Sequence, residues 1–366
     1  MKNKLIFSMI CIILTLGQTR TALAQDPLFT QFFSAPLYYN PAFTGIGTGL
    51  RARFNYRNQW PNLPVDYRAY YFSADLGDRN LPGSGGIGLM VNSDNDGVGF
   101  IHNLEFALNL AVRIPITSFM IAQVGVKASF KQKTINWNDF IVSDQLNEKY
   151  GNIYQTALTH PDANKKSYPD FAAGGILRTT NESGIFQGTL GFSVDHLFQP
   201  DESFLQTASA PLARKWIAHV DAVFQLGEKG SSSSRNSNGF GDPLKLNPGL
   251  IFISQSRFNT LEVGMNLMKF NLYLGGWYKT TVSGAVSNVL ALLAGYNYRF
   301  AENMSVRFMY SYDIPISGAM MGTGGAHEIS LTLEFSGLQI FGGNSSGYNR
   351  YSSKKGYDYL ECSEFY

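Results

Sequence analysis

Between Asn103 and Ile114 the chain alternates without a break. Leu104, Phe106, Leu108, Leu110, Val112 and Ile114 fall on one face, and Asn103, Glu105, Ala107, Asn109, Ala111 and Arg113 on the other. Successive side chains of a strand point to opposite faces, so this run has one apolar and one largely polar surface. Strands of soluble sheets usually span about 5–6 residues, whereas a strand crossing an outer membrane needs about 9–11. The pattern recurs. Leu50, Ala52, Phe54 and Tyr56 oppose Arg51, Arg53, Asn55 and Arg57, and Val124, Val126, Ala128 and Phe130 oppose Gln123, Lys127, Ser129 and Lys131. Phe186, Leu190, Phe192 and Val194 oppose Gln187, Thr189, Ser193 and Asp195, and Ile329, Leu331, Leu333 and Phe335 oppose Glu328, Ser330, Thr332 and Glu334. Long two-faced strands without an apolar stretch of helical membrane-spanning length imply an all-β fold: a transmembrane antiparallel β-barrel of outer-membrane type.

Such segments number about fourteen, an even count as single-chain bacterial barrels require. They are expected at 49–59, 66–76, 84–93, 98–114, 119–133, 170–180 and 184–195 in the first half. The second half continues at 213–226, 246–255, 258–268, 270–280, 288–300, 303–313 and 325–336. An even count puts both termini at the periplasmic side, with short turns there and long loops outside. "IPITSF", "TTNESG", "MKF" and "FAENM" are the short turns. Residues 134–169, 196–212 and "ISGAMMGTGG" are the long loops. The Ser/Gly-rich stretch 227–243 is long yet falls on the turn side, and reads as a flexible linker. Composition agrees with a wall facing lipid: charged residues are only 15%, against roughly 25% in soluble chains, and there are 20 Tyr, 27 Phe and 37 Gly.

Residues 1–24 read as a signal peptide, with Lys2 and Lys4, an apolar run from Leu5 to Leu16, and "ALA" at 22–24 as cleavage site. Cys11 leaves with it, so Cys362 is the only mature cysteine and no disulfide framework or cysteine zinc site is expected. The mature chain then opens on residues 25–48, where "QFFSAPLYYNPAFTG" carries Phe32, Phe33, Tyr38, Tyr39 and Phe43 but is broken by Pro36 and Pro41. Proline forbids a continuous helix or central strand here. Asn40 before Pro41 has the form of an N-cap with proline at the first helical position. The segment is expected to plug the lumen or its periplasmic mouth through Phe32, Phe33, Tyr38, Asn40, Pro41 and Phe43. Docking on a partner is the alternative. The barrel proper is 49–336, and 337–366 is a Gly-, Ser- and Tyr-rich tail expected in the periplasm.

Chemistry is sparse. His102, His160, His196, His219 and His327 show no zinc-type spacing, and there is no G-x-S-x-G elbow or Walker loop. His219 and Asp221 share a strand face but lack a placeable serine, so they read as a polar lumen pair rather than a catalytic one. No enzyme activity, cofactor or metal is expected. A net charge of +2 without a basic stripe gives no reason to expect nucleic acid. Two polar-aromatic clusters lie at the outer rim: "YRNQWP", with Arg57, Asn58, Gln59 and Trp60, and "SVDHLFQPDESF", with His196, Leu197, Gln199 and Pro200. Either they stabilise loops and an aromatic girdle, with Trp60 in the interface belt, or they contact a cargo protein.

These stretches, with "DPLFTQFFSAPLYYNPAFTG", "YSYD", "GAHEISLTLEF" and "LEVGMNLMKFNLYLGGWYK", resemble the PorP/SprF outer-membrane proteins of the Bacteroidetes type IX secretion and gliding-motility system. The resemblance covers essentially the whole mature chain. It implies a multi-pass barrel in the cell outer membrane that supports secretion and anchors surface adhesins through their C-terminal sorting domains. Periplasmic components of the same system are the other partners it suggests. A diffusion channel for small solutes is the competing reading, motivated by Arg51, Arg53, Lys127 and Lys131 on the lumen face.

Overall fold

Burial along the long strands runs opposite to that of a water-soluble protein. On one strand Phe106 is 52% exposed while Asn109 is 0% exposed, and Arg51, Arg53, Lys127, Asp195 and Glu328 are all buried. In this computed structural model the apolar faces look outward and the polar faces line a closed interior. The structure describes residues 26–338 except 65, 79–84, 97–100, 138–140, 142, 148, 158–162, 206–208, 228–242, 283–286, 302, 318–320 and 337. The expected signal peptide, most of the linker 227–243, most of the expected tail 337–366 and Cys362 lie outside the described residues.

The first strands are β1 (Gly49–Gln59), β2 (Tyr67–Gly77), β3 (Gly86–Asp96), β4 (Ile101–Thr117) and β5 (Met120–Ile135). A two-residue hairpin, β6 (Leu146–Asn147) and β7 (Gly151–Asn152), stands apart in the following loop. The wall resumes with β8 (Lys165–Thr180), β9 (Phe186–Asp195), β10 (Lys215–Leu226), β11 (Leu244–Gln255) and β12 (Phe258–Lys269). It ends with β13 (Leu272–Thr281), β14 (Asn288–Ala301), β15 (Met304–Pro315) and β16 (Ala326–Ser336).

Each strand pairs antiparallel with its neighbour in sequence, β5 with β8 across the hairpin, and β1 with β16 to close the ring. Fourteen strands thus form a barrel with no open edge among the described residues. All fourteen expected strands are present, and their ends differ from expectation by a few residues, most at the start of β8, which begins at Lys165. The ladder between β10 and β11 places the long linker on the same rim as the tight turns, as the strand count requires. The turn between β12 and β13 has Phe270 and Asn271 both at positive φ, the two-residue form whose twist matches flanking strands.

We call the rim where β1 begins and β16 ends the entry rim, and the opposite one the far rim. Residues 26–48 fill the interior between them. Phe32–Ser34 and Pro41–Phe43 are 3-10 turns around a single helical turn, α1 (Pro36–Tyr39), so the prolines set a chain of short turns. The Asn40 side chain caps the last of these, accepting from Ala42 N at 2.9 Å, as its sequence context suggests. Phe29, Phe32, Phe33, Leu37, Tyr38, Tyr39, Phe43 and Ile46 are buried together and meet Tyr71, Ile217, Ile251 and Trp277 of the wall. The aromatic segment is therefore the core of the barrel. Gly125 and Gly174 make this possible: a Cβ at either would sit 2.4 Å from Pro41 backbone or 2.1 Å from the Asn40 side chain.

One expectation needs correcting. Both ends of the wall lie at the entry rim, but the N-terminal segment does not stay there. Asp26 meets His196, Lys215 and Gln255, all at far-rim strand ends, whereas Gly45 bonds Asp75 near the entry rim. The chain therefore descends the whole lumen before turning into β1, and its described N-terminal end is at the far rim.

Candidate functional site

The far rim concentrates the ionisable side chains that hold the segment in place. Two clusters do this, one on each side of residues 26–31. In the first, Lys131 Nζ lies 3.8 Å from Glu105 and 3.4 Å from Asp170. Asp170 meets His196 Nδ1 at 2.6 Å, and His196 Nε2 meets Asp26 at 2.8 Å. Lys215 continues to Asp26 at 2.8 Å and Asp195 at 3.2 Å, and Lys127 returns from Asp195 at 3.2 Å to Glu105 at 3.6 Å. The eight groups form a closed ring of alternating sign contributed by β4, β5, β8, β9, the residue after β9, β10 and the segment. Four carboxylates face three ammonium groups, so the ring is neutral only when His196 is an imidazolium.

The local environment supports that state. Burial and Lys131 both oppose a charge on His196, yet Asp26 and Asp170 outweigh them and raise its pKa above the ordinary value. Burial would raise the Asp26 carboxyl, but Lys215, Lys131 and His196 hold it well below the usual range. His196 also sits at φ 57, a left-handed conformation uncommon for a non-glycine residue, which the double carboxylate grip maintains. The imidazolium's contribution is complete below about 6.5, its ordinary pKa, and is lost as pH rises through the raised value. The Asp26 contribution is complete above its ordinary pKa and is lost as pH falls through the depressed value. A spin label on Pro27→Cys is therefore expected to be least mobile in the window between these limits, and freer on both sides. Mobility independent of pH would contradict the assignment.

The second cluster is centred on Thr30. Its hydroxyl donates to Asp313 at 2.8 Å and accepts from Arg57 and Lys279, each at 2.6 Å. Arg57 also binds Asp313 at 2.8 Å and Glu328 at 3.3 Å. Glu328 accepts the backbone N–H of Thr30 at 2.7 Å and of Gln31 at 3.1 Å. The Gln31 side chain reaches Ser311 at 3.1 Å and accepts from Ser330 at 2.7 Å. Carboxylate acceptors on backbone donors in a buried site make strong, directional anchors.

Below these clusters the wall binds the segment's backbone. Ser193 donates to the Tyr39 carbonyl at 2.6 Å, Gln123 to that of Thr44 at 2.6 Å, and Arg113 to that of Ile46. Arg51 pairs with Glu334 and Arg53 with Asp75. The lumen cations that motivated a channel are thus in ion pairs. His219 is stacked on Phe43 at 5.1 Å with neither ring nitrogen hydrogen-bonded, while Asp221 bonds Asn247 at 3.3 Å. These two residues do not form the pair that their spacing suggested.

The rim motifs divide. Arg57 and His196 turn inward and clamp the segment. Gln59 accepts from Arg57 at 3.1 Å, and Asn58 lies on the alternate face between His327 and Arg68. Trp60, expected in a lipid-interface belt, lines a far-rim cavity, and its backbone N–H donates to Gly325 O at 2.7 Å. Leu197 and Gln199 belong to the turn after β9: Leu197 N donates to Phe171 O and Gln199 N to His196 O, and Pro200 O accepts from Leu212 N. Phe32, Phe33, Tyr38, Asn40, Pro41 and Phe43 all lie in the buried plug. Asp26, Thr30, Asp313 and Glu328 complete the clamps from within the quoted motifs, where nothing singled them out as site residues, and Asp170 and Lys215 lie outside any motif. For Asp170, Lys215, Asp313 and Glu328 the signal in the sequence is a charged residue on the lumen face near a far-rim strand end.

Cavities of about 170 Å³ and 60 Å³ flank residues 26–31 at the far rim. The larger lies towards β12–β16 and β1, the smaller towards β3–β5 and β8.

The family model described as type IX secretion system membrane protein PorP/SprF matches residues 21–333. No curated protein matches the chain. Among solved structures, a FadL homologue of Pseudomonas aeruginosa is similar at 12% identity and a TM-score of 0.46, over 86% of this chain and 100% of that one. The Pseudomonas putida toluene transporter TodX is similar at 9% identity and a TM-score of 0.45, over 86% and 98% of the two chains. CdiB from Acinetobacter baumannii is similar at 9% identity and a TM-score of 0.42, over 79% and 60%.

Proposed function

The chain belongs to the type IX secretion system membrane protein family PorP/SprF, and on that premise we propose that it binds and anchors an exported cargo protein at the cell surface. In this reading the entry rim faces the periplasm and the far rim faces outward. The two-residue spacings after β4, β12 and β14 and the long spacings between β5 and β8 and between β9 and β10 support that orientation.

The observation that carries the proposal is the filled lumen. Residues 26–48 cross it from rim to rim, buried among aromatic wall residues and clamped by two ionic clusters. A solute could pass only after this segment left. The architecture therefore favours a rigid platform over a diffusion channel. The cargo is a surface adhesin held through its C-terminal sorting domain, the role is support of secretion and gliding, and periplasmic components of the system meet the entry rim.

Affinity isolation of the tagged barrel from solubilised membranes tests this. A large exported surface protein is expected to co-isolate, and cells lacking the barrel are expected to release that protein to the medium. Recovery of the barrel alone, with the surface protein still attached to deletion cells, would overturn the proposal.

A further inference from the structure

The cluster around Thr30 carries an unbalanced charge. Arg57 and Lys279 are its cations, and Asp313, Glu328 and Glu262 are its carboxylates. Arg57 serves Asp313 and Glu328, and Lys279 serves Asp313. Glu262 is buried at 2% exposure and stands opposite Lys279 across the β12–β13 ladder, but no cation among the described residues reaches it within hydrogen-bond or ion-pair distance, because the Lys279 ammonium is turned to Thr30 and Asp313. It borders the 170 Å³ far-rim cavity instead. The companion ring on the other side of the segment matches each carboxylate with a cation once His196 is protonated. The Thr30 cluster falls short by one positive charge. A buried carboxylate that no cation contacts directly is costly, and a cation entering the cavity offsets that cost.

The lining says which cation. Thr260 and Thr281, on the lumen face, line the same cavity as Glu262 with hydroxyl acceptors, Arg57 and Lys279 border it, and Leu28, Val289 and Pro315 supply apolar surface. An ammonium has three donors to share between one carboxylate and hydroxyls, and its alkyl stem lies well against apolar wall. The volume is below the roughly 300–1,000 Å³ of pockets for drug-sized ligands, and suits a single side chain.

We propose that the cavity beside Glu262 receives one primary alkylammonium group, the side chain of a lysine on the protein docked at the far rim. The docked protein comes from the function proposed above, but the chemistry can be tested without it. The probe is n-pentylammonium, with 1-pentanol as neutral isostere, titrated calorimetrically into the full-length barrel in detergent. Pentylammonium is expected to bind saturably at one site, with pentanol weaker by about tenfold or more, the weight of a charge-assisted contact. Glu262→Gln keeps shape and removes the charge, and is expected to weaken pentylammonium by a similar factor while the heat-modifiable gel mobility of the barrel stays unchanged. Val289→Trp fills the cavity with Glu262 intact, and is expected to abolish binding. Absence of saturable binding to the wild type overturns the proposal. So does equal affinity for the alcohol, or undiminished affinity in a folded Glu262→Gln or Val289→Trp barrel. These outcomes are independent of co-isolation of a cargo, so failure here and failure of the anchoring reading are distinguishable.

Discussion

Deleting residues 26–44 is expected to lower the temperature at which the barrel loses its compact, heat-modifiable form by about 10 °C or more. Phe29, Phe32, Phe33, Tyr38, Tyr39 and Phe43 are all removed from the interior. Burying each such ring contributes roughly 1.5–3 kcal/mol, so the gross loss is on the order of 10 kcal/mol. Part is offset because the shortened chain no longer pays the entropy of ordering the segment. A second cost comes from the wall. Asp313 and Glu328 lose Thr30 and Gln31, and His196 and Lys215 lose Asp26. The fourteen-strand ladder closes without the segment, so the variant is expected to remain a barrel. An unchanged midpoint would mean that the segment is a passenger rather than a core.

Arg57→Met is the sharpest single substitution. Methionine fills similar space without charge, leaving Asp313 and Glu328 buried with one fewer cation between them. Breaking a buried ion pair by removing one partner costs about 3–5 kcal/mol. The loss falls on the upper half of the segment, since Arg57 also donates to Thr30. Protease added from the far-rim side is expected to cut within residues 26–31 of the variant and not of the wild type. Arg57→Lys should restore only part of the protection, because a single ammonium cannot reproduce a fork that reaches two carboxylates and a hydroxyl. Wild-type resistance in Arg57→Met would contradict the clamp.

The strands were legible because a membrane wall is a one-dimensional constraint. Each of Leu104 to Ile114 declares its face by itself, and the period of two needs no partner to be read. The plug was legible for a similar reason, since Phe32, Phe33, Tyr38 and Phe43 between prolines have few places to go other than a core. Its direction was not. Nothing local to Asp26 says that it climbs to the far rim, because its partners His196, Lys215 and Gln255 come from distant strand ends. The clamps were hidden in the same way. Arg57 and His196 stood out within motifs and read as surface groups, yet both point inward to carboxylates on other strands. Residues that pair across a closed barrel share no sequence period. Only the register of the ladder brings Glu105, Asp170 and Asp195 to one height.

Residues 26–48 fill the barrel from rim to rim, so the lumen is expected to be sealed. Planar-bilayer recording of the purified, intact protein measures this directly. The expected result is no steady conductance from the wild type, with steady openings appearing only after residues 26–44 are deleted. A stable ohmic conductance from the wild type, unaltered by the deletion, would contradict it.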